Sequence, residues 1–509
     1  MNDHQRHSSV TPVTKDSVES LRRQALEHPH DLQLQVHLAD LQTQLQDWDQ
    51  AKATLDRAIE LHPQHASLYA QSAMVSARLG NWSKCLTELS QALALEPHNP
   101  HFLCNLSHVL ITLEQWDDAV ATARVALANC PNHSYAYELI GLAFLIRGEW
   151  LLAAQNLLAA IDLDPHNAQA HNNIGLCYRE LGESDQAIAA FKRATLIDAT
   201  FSDAYFNLGT TYLLEGDFIR GWPLYLHHKR EQQLVDQLNA GSLWTGKEPL
   251  NSRSILIYRE QGLGDTFQFV RYLSALDRLG ARVYFAPHDS LRAILRISGL
   301  PYTEASLDDR TTQFDYHCPL LSLPALLIDS EPAQVPYIVA DQKRISAWHT
   351  RLGTRSLKVG IHWQGSTGRV DVGRSIPLEY FKTLAIDPQI RLISLQKGEG
   401  LAQLGPETGW LELLDGEWDG NGNGNGFVDS AAILSGLDLV ITSDSALAHL
   451  AGAMGIKTWV LLKKVPDWRW LREGSRCRWY PSLTLYRQSV NGDWAELFER
   501  VGADLKALL

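Results

Sequence analysis

Pro63, Pro97, Pro131 and Pro165 stand 34 residues apart, and the next step lands on Ala199. Five residues before each of these positions is an alanine: Ala58, Ala92, Ala126, Ala160 and Ala194. Twelve before them are Ala51, Cys85, Ala119, Ala153 and Ala187. A period held over five units means one supersecondary element repeated, and this limits the chain's architecture more than any other feature. Small residues at fixed helical positions let two helices approach closely. The proline ends the second helix of each unit because it lacks an N–H donor. The spacing predicts five full helix pairs from about 32 to 201, a sixth starting near Ser202 and a leading helix near 15–29. Such units bury their apolar faces only against neighbours, so they stack into a curved solenoid.

Later units read "AYELIGLAFLIRGEW", "AHNNIGLCYRELGES" and "AYFNLGTTYLLEGDF". Gly141, Gly175 and Gly209 hold a small-residue position, and Phe144, Tyr178 and Tyr212 an aromatic one. This is the tetratricopeptide pattern. Such stacks present a concave surface to peptides or proteins, or serve as a packing scaffold or oligomerisation arm.

After Trp222 the period dissolves. "TGKEPLNSRS" reads as a linker, and the solenoid is assigned residues 15–235 with a linker at 236–250. Short apolar runs follow: "SILIY", "ARVYFA", "KVGIHW", "IRLISLQ", "LDLVIT" and "KTWVLL". Helix-like segments separate them, which predicts parallel sheets covered on both faces. About 260 residues exceed one small sheet. The stretch 330–356 is expected to be a hinge between two Rossmann-like lobes, 251–345 and 346–509. Ligands of such sheets bind at the carboxyl ends of the strands.

Bulk properties exclude several classes. The chain has 509 residues, 45% of them apolar, which suits two to four domains. No run approaches the roughly 18 to 20 apolar residues of a bilayer span. The polar N-terminus "MNDHQRHSSV" lacks a signal core, so a cytoplasmic protein is expected. Six scattered cysteines suggest neither a disulfide framework nor a zinc site. A net charge of −13 argues against broad nucleic-acid binding.

Four loops carry candidate chemistry. In "LDLVITSDSALAHLAGAMG" a strand ends at Thr442 and a helix opens near Ser445. The backbone of Ser445 and Ala446, with the hydroxyls of Ser443 and Ser445, suits a diphosphate. Asp444 precedes the helix and His449 lies one turn in. Equally, Asp444 or Ser445 is only a cap and His449 a packed core histidine. In "KVGIHWQGSTGRVDVGRSIPLEYF", Gln364 opens a glycine-rich loop. Arg374 stands before the next helix, placed to clamp phosphate or to lie exposed. A third strand ends in "SLQKGEG", with Gln396 and Lys397 at a similar edge. Finally, "YREQGLGDTFQFVRYL" places Gly262, Gly264 and Asp265 between a strand and a helix. A carboxylate there would repel a diphosphate but suits deprotonating an acceptor hydroxyl; capping alone is the simpler role.

"GLGD", "SDSALAHLAG" and the basic residue before "SIPL" resemble the lipopolysaccharide heptosyltransferase family. "QGLGDTFQFVRYL", "YHCPLLSLP", "SLQKG" and "VPDWRWL" resemble bacterial proteins that fuse tetratricopeptide repeats to such a catalytic unit. The layout is similar to that of O-GlcNAc transferases. The resemblance implies an α solenoid followed by a GT-B fold. It implies an inverting, metal-independent glycosyltransferase that uses a nucleotide-sugar as co-substrate and needs no resident cofactor. Asp265 would be the base, Asp444 to His449 would contact the nucleotide-sugar, and Arg374 would contact the diphosphate, where heptosyltransferases commonly carry lysine. The repeats would recruit a protein acceptor and leave room for oligomerisation. The alternatives are a glycan or lipid-glycan acceptor, or a catalytically inactive unit on a binding scaffold. A dinucleotide enzyme is rejected because no GxGxxG follows a strand with an acidic residue about 20 residues on. "NGNGNG" at 421–426 is expected to be a flexible loop.

Overall fold

The computed structural model describes residues 15–227, 240–309, 311–354, 356–366, 372–416, 418–420 and 426–509. Most of "NGNGNG", part of the glycine-rich loop (367–371) and residues 228–239 lie outside the described residues. Two compact units are present, Met1–Cys177 and Tyr178–Leu509.

The first unit is a helical repeat stack. A leading helix, Lys15–Glu27, precedes the pairs Leu32–Gln44 with Trp48–Leu61, Ala66–Arg78 with Trp82–Leu95, Pro100–Thr112 with Trp116–Asn129, and Ser134–Ile146 with Trp150–Leu163. Each second helix ends two residues before its proline. The periodic alanines from Ala51 to Ala160 and Cys85 are fully buried at the helix–helix seams. At Gly141 a Cβ would meet Leu157 Cγ at 2.6 Å, so the small residue is required by close approach. A further signal has the same period: Trp48, Trp82, Trp116 and Trp150 each open a second helix.

The second unit begins inside the repeat array and not at its end. Helices Ser184–Ile197, Ser202–Leu214 and Phe218–Tyr225 belong to it together with both sheets. The reason is packing. Trp222 and Tyr225 join one continuous core with Phe267 and Phe269 of the first lobe and Leu447 and Trp468 of the second. Burying rings of this size is worth about 2 to 3 kcal/mol each.

The first sheet contains β1 (Ala240–Leu243), β2 (Ser254–Tyr258), β3 (Arg282–Ala286), β4 (Thr303–Glu304) and β5 (Phe314–Pro319) in the order β1-β5-β2-β3-β4. The second contains β6 (Leu357–His362), β7 (Ile390–Ser394), β8 (Leu411–Glu412), β9 (Leu439–Ser443), β10 (Thr458–Leu462) and β11 (Leu483–Arg487) in the order β11-β10-β9-β6-β7-β8. Every pairing between these strands is parallel, and one antiparallel bridge joins Arg476 to Thr484 of β11. The chain order of the second sheet reverses between β6 and β9, which opens a crevice at their carboxyl ends. In the first sheet the reversal lies between β2 and β5. Strands β2, β9 and β10 are buried along their whole length, as continuous apolar runs in a doubly covered parallel sheet should be.

Two segments depart from expectation. The linker contains edge strand β1, held parallel to β5. The hinge stretch contains the helix Gln342–Leu352, tied to the helix Val428–Leu434 by Trp348 Nε1 donating to Asp429 at 3.0 Å and by an Arg344–Asp429 ion pair of 2.6 Å. The helix Gln342–Leu352, which spans the expected boundary at 345/346, thus packs with a helix of the second lobe.

Candidate functional site

The loop after β2 and the loops after β6 and β9 converge. The helix Leu263–Phe269 runs against the helix Ala446–Met454. A Cβ at Gly264 would stand 2.9 Å from His449 Cδ2 and 3.4 Å from Ala446 Cα. Gly264 is thus needed for contact and not for turn geometry. The left-handed residue of this turn is Gln261, at φ 49°, while Gly262 is extended.

Asp265 lies in the first turn of its helix, and each of its carboxylate oxygens accepts a hydrogen bond. Oδ2 accepts from the Gly262 N–H at 3.0 Å. Oδ1 accepts from Arg469 Nη2 at 2.5 Å, and Arg469 Nη1 reaches Asp467 Oδ1 at 2.8 Å. Arg469 is only 9% exposed. Burial alone would disfavour its charge, but Asp265 and Asp467 outweigh it and hold the guanidinium charged. Burial likewise raises Asp467, and Arg469 brings it below the usual carboxylate range. Arg469 and Asp467 had no assigned role in the sequence. Their signal is "VPDWRWL", where a cation and an anion sit among aromatic residues.

At the β6–β9 crevice, Gly365 brings two expected residues together. A Cβ there would lie 3.5 Å from Arg374 Nη2 and 3.7 Å from Ser445 Cβ. Arg374 Nη2 donates a long bond, 3.4 Å, to the Ser366 carbonyl. Its Nε is buried and without a partner among the described residues, as are Ser443 Oγ and Arg469 Nε. Ser445 Oγ and Thr442 Oγ1 lie 3.3 and 3.4 Å from His362 Nδ1. Burial pushes this histidine down to about 4, so it is neutral. The Asp444 carboxyl is pushed up to about 6, first by burial and then by Asp467, against the pull of Arg374 and Arg469.

His449 is a packed residue. It stacks on Trp470 with ring centroids 5.0 Å apart, and its Nδ1 lies 3.1 Å from the Tyr480 hydroxyl. Burial, with Arg469 beside it, pushes it down to about 3. Gln396 is a bracket. Its Oε1 accepts from the N–H groups of Trp363 and Gln364 at 3.1 and 3.0 Å. Its Nε2 donates to the Gln364 and Lys397 carbonyls at 2.8 and 3.0 Å. Gln364 Oε1 accepts from Gln403, and Lys397 donates to the Trp418 and Asp419 carbonyls. The structure therefore gathers Gly264, Asp265, Arg374, Ser443, Asp444, Ser445, Ala446 and His449, while Gln396 and Lys397 are spent on loop structure. Among the described residues, no group of three or more His, Cys, Asp or Glu is placed to hold a metal ion. No helix among them is long and apolar enough to cross a membrane.

Comparison with known proteins identifies the first class of structure. Tetratricopeptide-repeat family models match residues 15–74 and 138–205. The N-terminal stack is thus a tetratricopeptide-repeat solenoid, a scaffold suited to protein interaction. Among curated proteins the chain is similar to Protein FlbA of Caulobacter vibrioides, 24% identical over 298 residues, 52% of this chain and 48% of that protein. The match spans about half the length of that relative. Among solved structures it is similar to PilW, a widely conserved type IV pilus biogenesis factor, at 19% identity and TM-score 0.36, covering 40% of this chain and 97% of that one. MamA from Desulfovibrio magneticus RS-1 is 24% identical with TM-score 0.29, covering 32% and 91%.

Proposed function

We propose that the α/β unit is a GT-B glycosyltransferase that takes a nucleotide-sugar donor, with a protein acceptor recruited by the repeats. One observation supports it most. The carboxylate of one lobe meets the switch-point crevice of the other, beside buried donors on Arg374, Ser443 and Arg469 that have no partner among the described residues. Donors left unpaired in a desolvated site are costly unless an anion completes them. A nucleoside diphosphate at the β6–β9 crevice would accept from Arg374 and the Ser443–Ser445 turn. The acceptor oxygen would then attack the anomeric carbon as the bond to phosphate breaks. Asp265 would take the hydroxyl proton, and the leaving diphosphate would keep the bonding electrons with Arg374 offsetting its charge. Metal independence belongs to the same proposal.

A second reading is favoured by the engagement of both Asp265 oxygens: a unit that binds the donor without transferring the sugar. One experiment separates the two. Nucleotide-sugars are screened for stabilisation of the full chain, and candidate acceptor proteins or glycans are then followed for a mass shift. Stabilisation with transfer supports the enzyme, and stabilisation without transfer supports the binding unit. The absence of any stabilising nucleotide-sugar removes both.

A further inference from the structure

The last repeat helix among the described residues, Phe218–Tyr225, packs toward the candidate base through a chain of aromatic contacts. Trp222 and Tyr225 are 4% and 1% exposed. Both meet Trp468 edge-on, with ring centroids 5.3 and 5.5 Å away. The Trp468 ring faces the Arg469 guanidinium at 4.5 Å, and Phe269 lies 5.7 Å from the same group. Trp479 completes the clamp. Its Nε1 donates to the Arg469 carbonyl at 2.7 Å, and its ring lies 6.5 Å from Trp222. Arg472, three residues beyond Arg469, is tied to the same array: its N–H reaches the Leu214 carbonyl at 3.0 Å and its Nη1 reaches Ser184 Oγ at 2.9 Å.

An arginine has many rotamers, and a free one would not dwell on a single carboxylate oxygen. Here aromatic packing removes that freedom. A guanidinium this buried also cannot drift from its carboxylates without leaving charge uncompensated. We infer that Arg469 is a positioning residue for Asp265, and that Trp222 and Tyr225 of the terminal repeat set its place through Trp468. The last repeat then supports the reacting carboxylate as well as ending the recruiting array. This inference rests on the transferase reading of Asp265.

The test uses the full chain and two readouts. Hydrogen exchange is followed peptide by peptide in Tyr225→Ala, Tyr225→Phe and Arg469→Gln, and transfer kinetics are measured alongside. Tyr225→Ala should speed exchange in 262–269 by about tenfold or more, since local opening free energy falls where support is lost. The same variant should lower kcat while KM for the donor stays within about twofold, the mark of a group acting in the transition state only. Tyr225→Phe keeps the ring and loses only the buried hydroxyl near Arg469 and Asp265, so it should fall between Tyr225→Ala and wild type in both readouts. Exchange changes confined to 218–227 and 465–471 would overturn the inference, because the contacts would then be packing alone. If Tyr225→Ala loosens the entire unit, Trp468→Phe decides the same question by the same criterion. A wild-type chain that transfers no sugar sinks the transferase reading, and the exchange result still decides whether the repeat positions Asp265.

Discussion

Lys52 in the repeat stack and Arg469 in the α/β unit are both buried cations facing carboxylates, and they differ in what is left over. Lys52 Nζ reaches Glu88 at 2.7 Å, Ser72 at 2.6 Å and Asp56 at 2.5 Å, so all three ammonium donors are used. Glu88 is completed by Ser72 and Ser76 at 3.0 and 2.7 Å. Around Arg469, by contrast, its own Nε, Arg374 Nε and Ser443 Oγ are buried without partners among the described residues. Two half-buried carboxylates, Asp444 and Asp467, also face each other there. A closed network needs nothing further and holds a fold. An open one leaves donors that the proposed nucleoside diphosphate would complete.

The largest expected effect breaks the open cluster. Asp265→Asn should lower sugar transfer by about 10² to 10⁴-fold while nucleoside diphosphate affinity is kept. It should also cost roughly 2 kcal/mol in urea unfolding, because Arg469 loses one of its two counter-charges. Near wild-type turnover would place the base elsewhere.

Breaking the closed cluster should show in stability alone. Lys52→Met leaves Glu88 buried and uncompensated, a loss of about 3 to 5 kcal/mol, whereas the pair Lys52→Met with Glu88→Leu should recover most of it. Chemical denaturation monitored by a probe in the first unit measures this. Unchanged midpoints would mean that the two clusters are not different in kind.

Arg374→Ala should weaken nucleoside diphosphate binding by about 1.5 to 3 kcal/mol, the worth of a charge-assisted hydrogen bond. Thermal stability without ligand should hold, since the bond to Ser366 is long. Calorimetry with equal affinity in both proteins would remove Arg374 from the site.

The smallest effect concerns Asp444. Its carboxyl sits at about 6 in the fold, against 3.8 as the ordinary value. A raised value means the fold favours the protonated form. That contribution is complete below pH 3.8 and is lost as pH rises through about 6. Asp444→Asn should therefore be more stable than wild type by about 1 to 2 kcal/mol at pH 7, after allowance for partial solvent access, with the gain vanishing below about pH 4. Melting temperatures across pH 4 to 8 check it, and a constant difference would show that the carboxyl is unperturbed.

Local patterns were legible and long-range partners were not. The period of 34 located the helices because each repeat is bounded by its own alanines and proline. Strands β2, β3, β6, β7, β9 and β10 were visible as apolar runs. β5, at the reversal point of the first sheet, was not, because "FDYHCP" mixes polar and apolar residues and leaves Asp315 and Tyr316 only partly buried. β1 was hidden in a polar linker because pairing with β5 makes it a strand, whatever its composition.

The sequence by itself determined the repeat array, the parallel α/β character of the second half and which loops end strands. Each depends on spacing within a few dozen residues. Only the tertiary structure decided that Asp265 is bound to Arg469, 204 residues later in the chain, and that the last repeat packs behind that arginine. It also decided that His449 and Gln396 are used internally. Side chains meet through the packing of whole elements, and nothing in the local period of a helix or strand records which distant residue it will face.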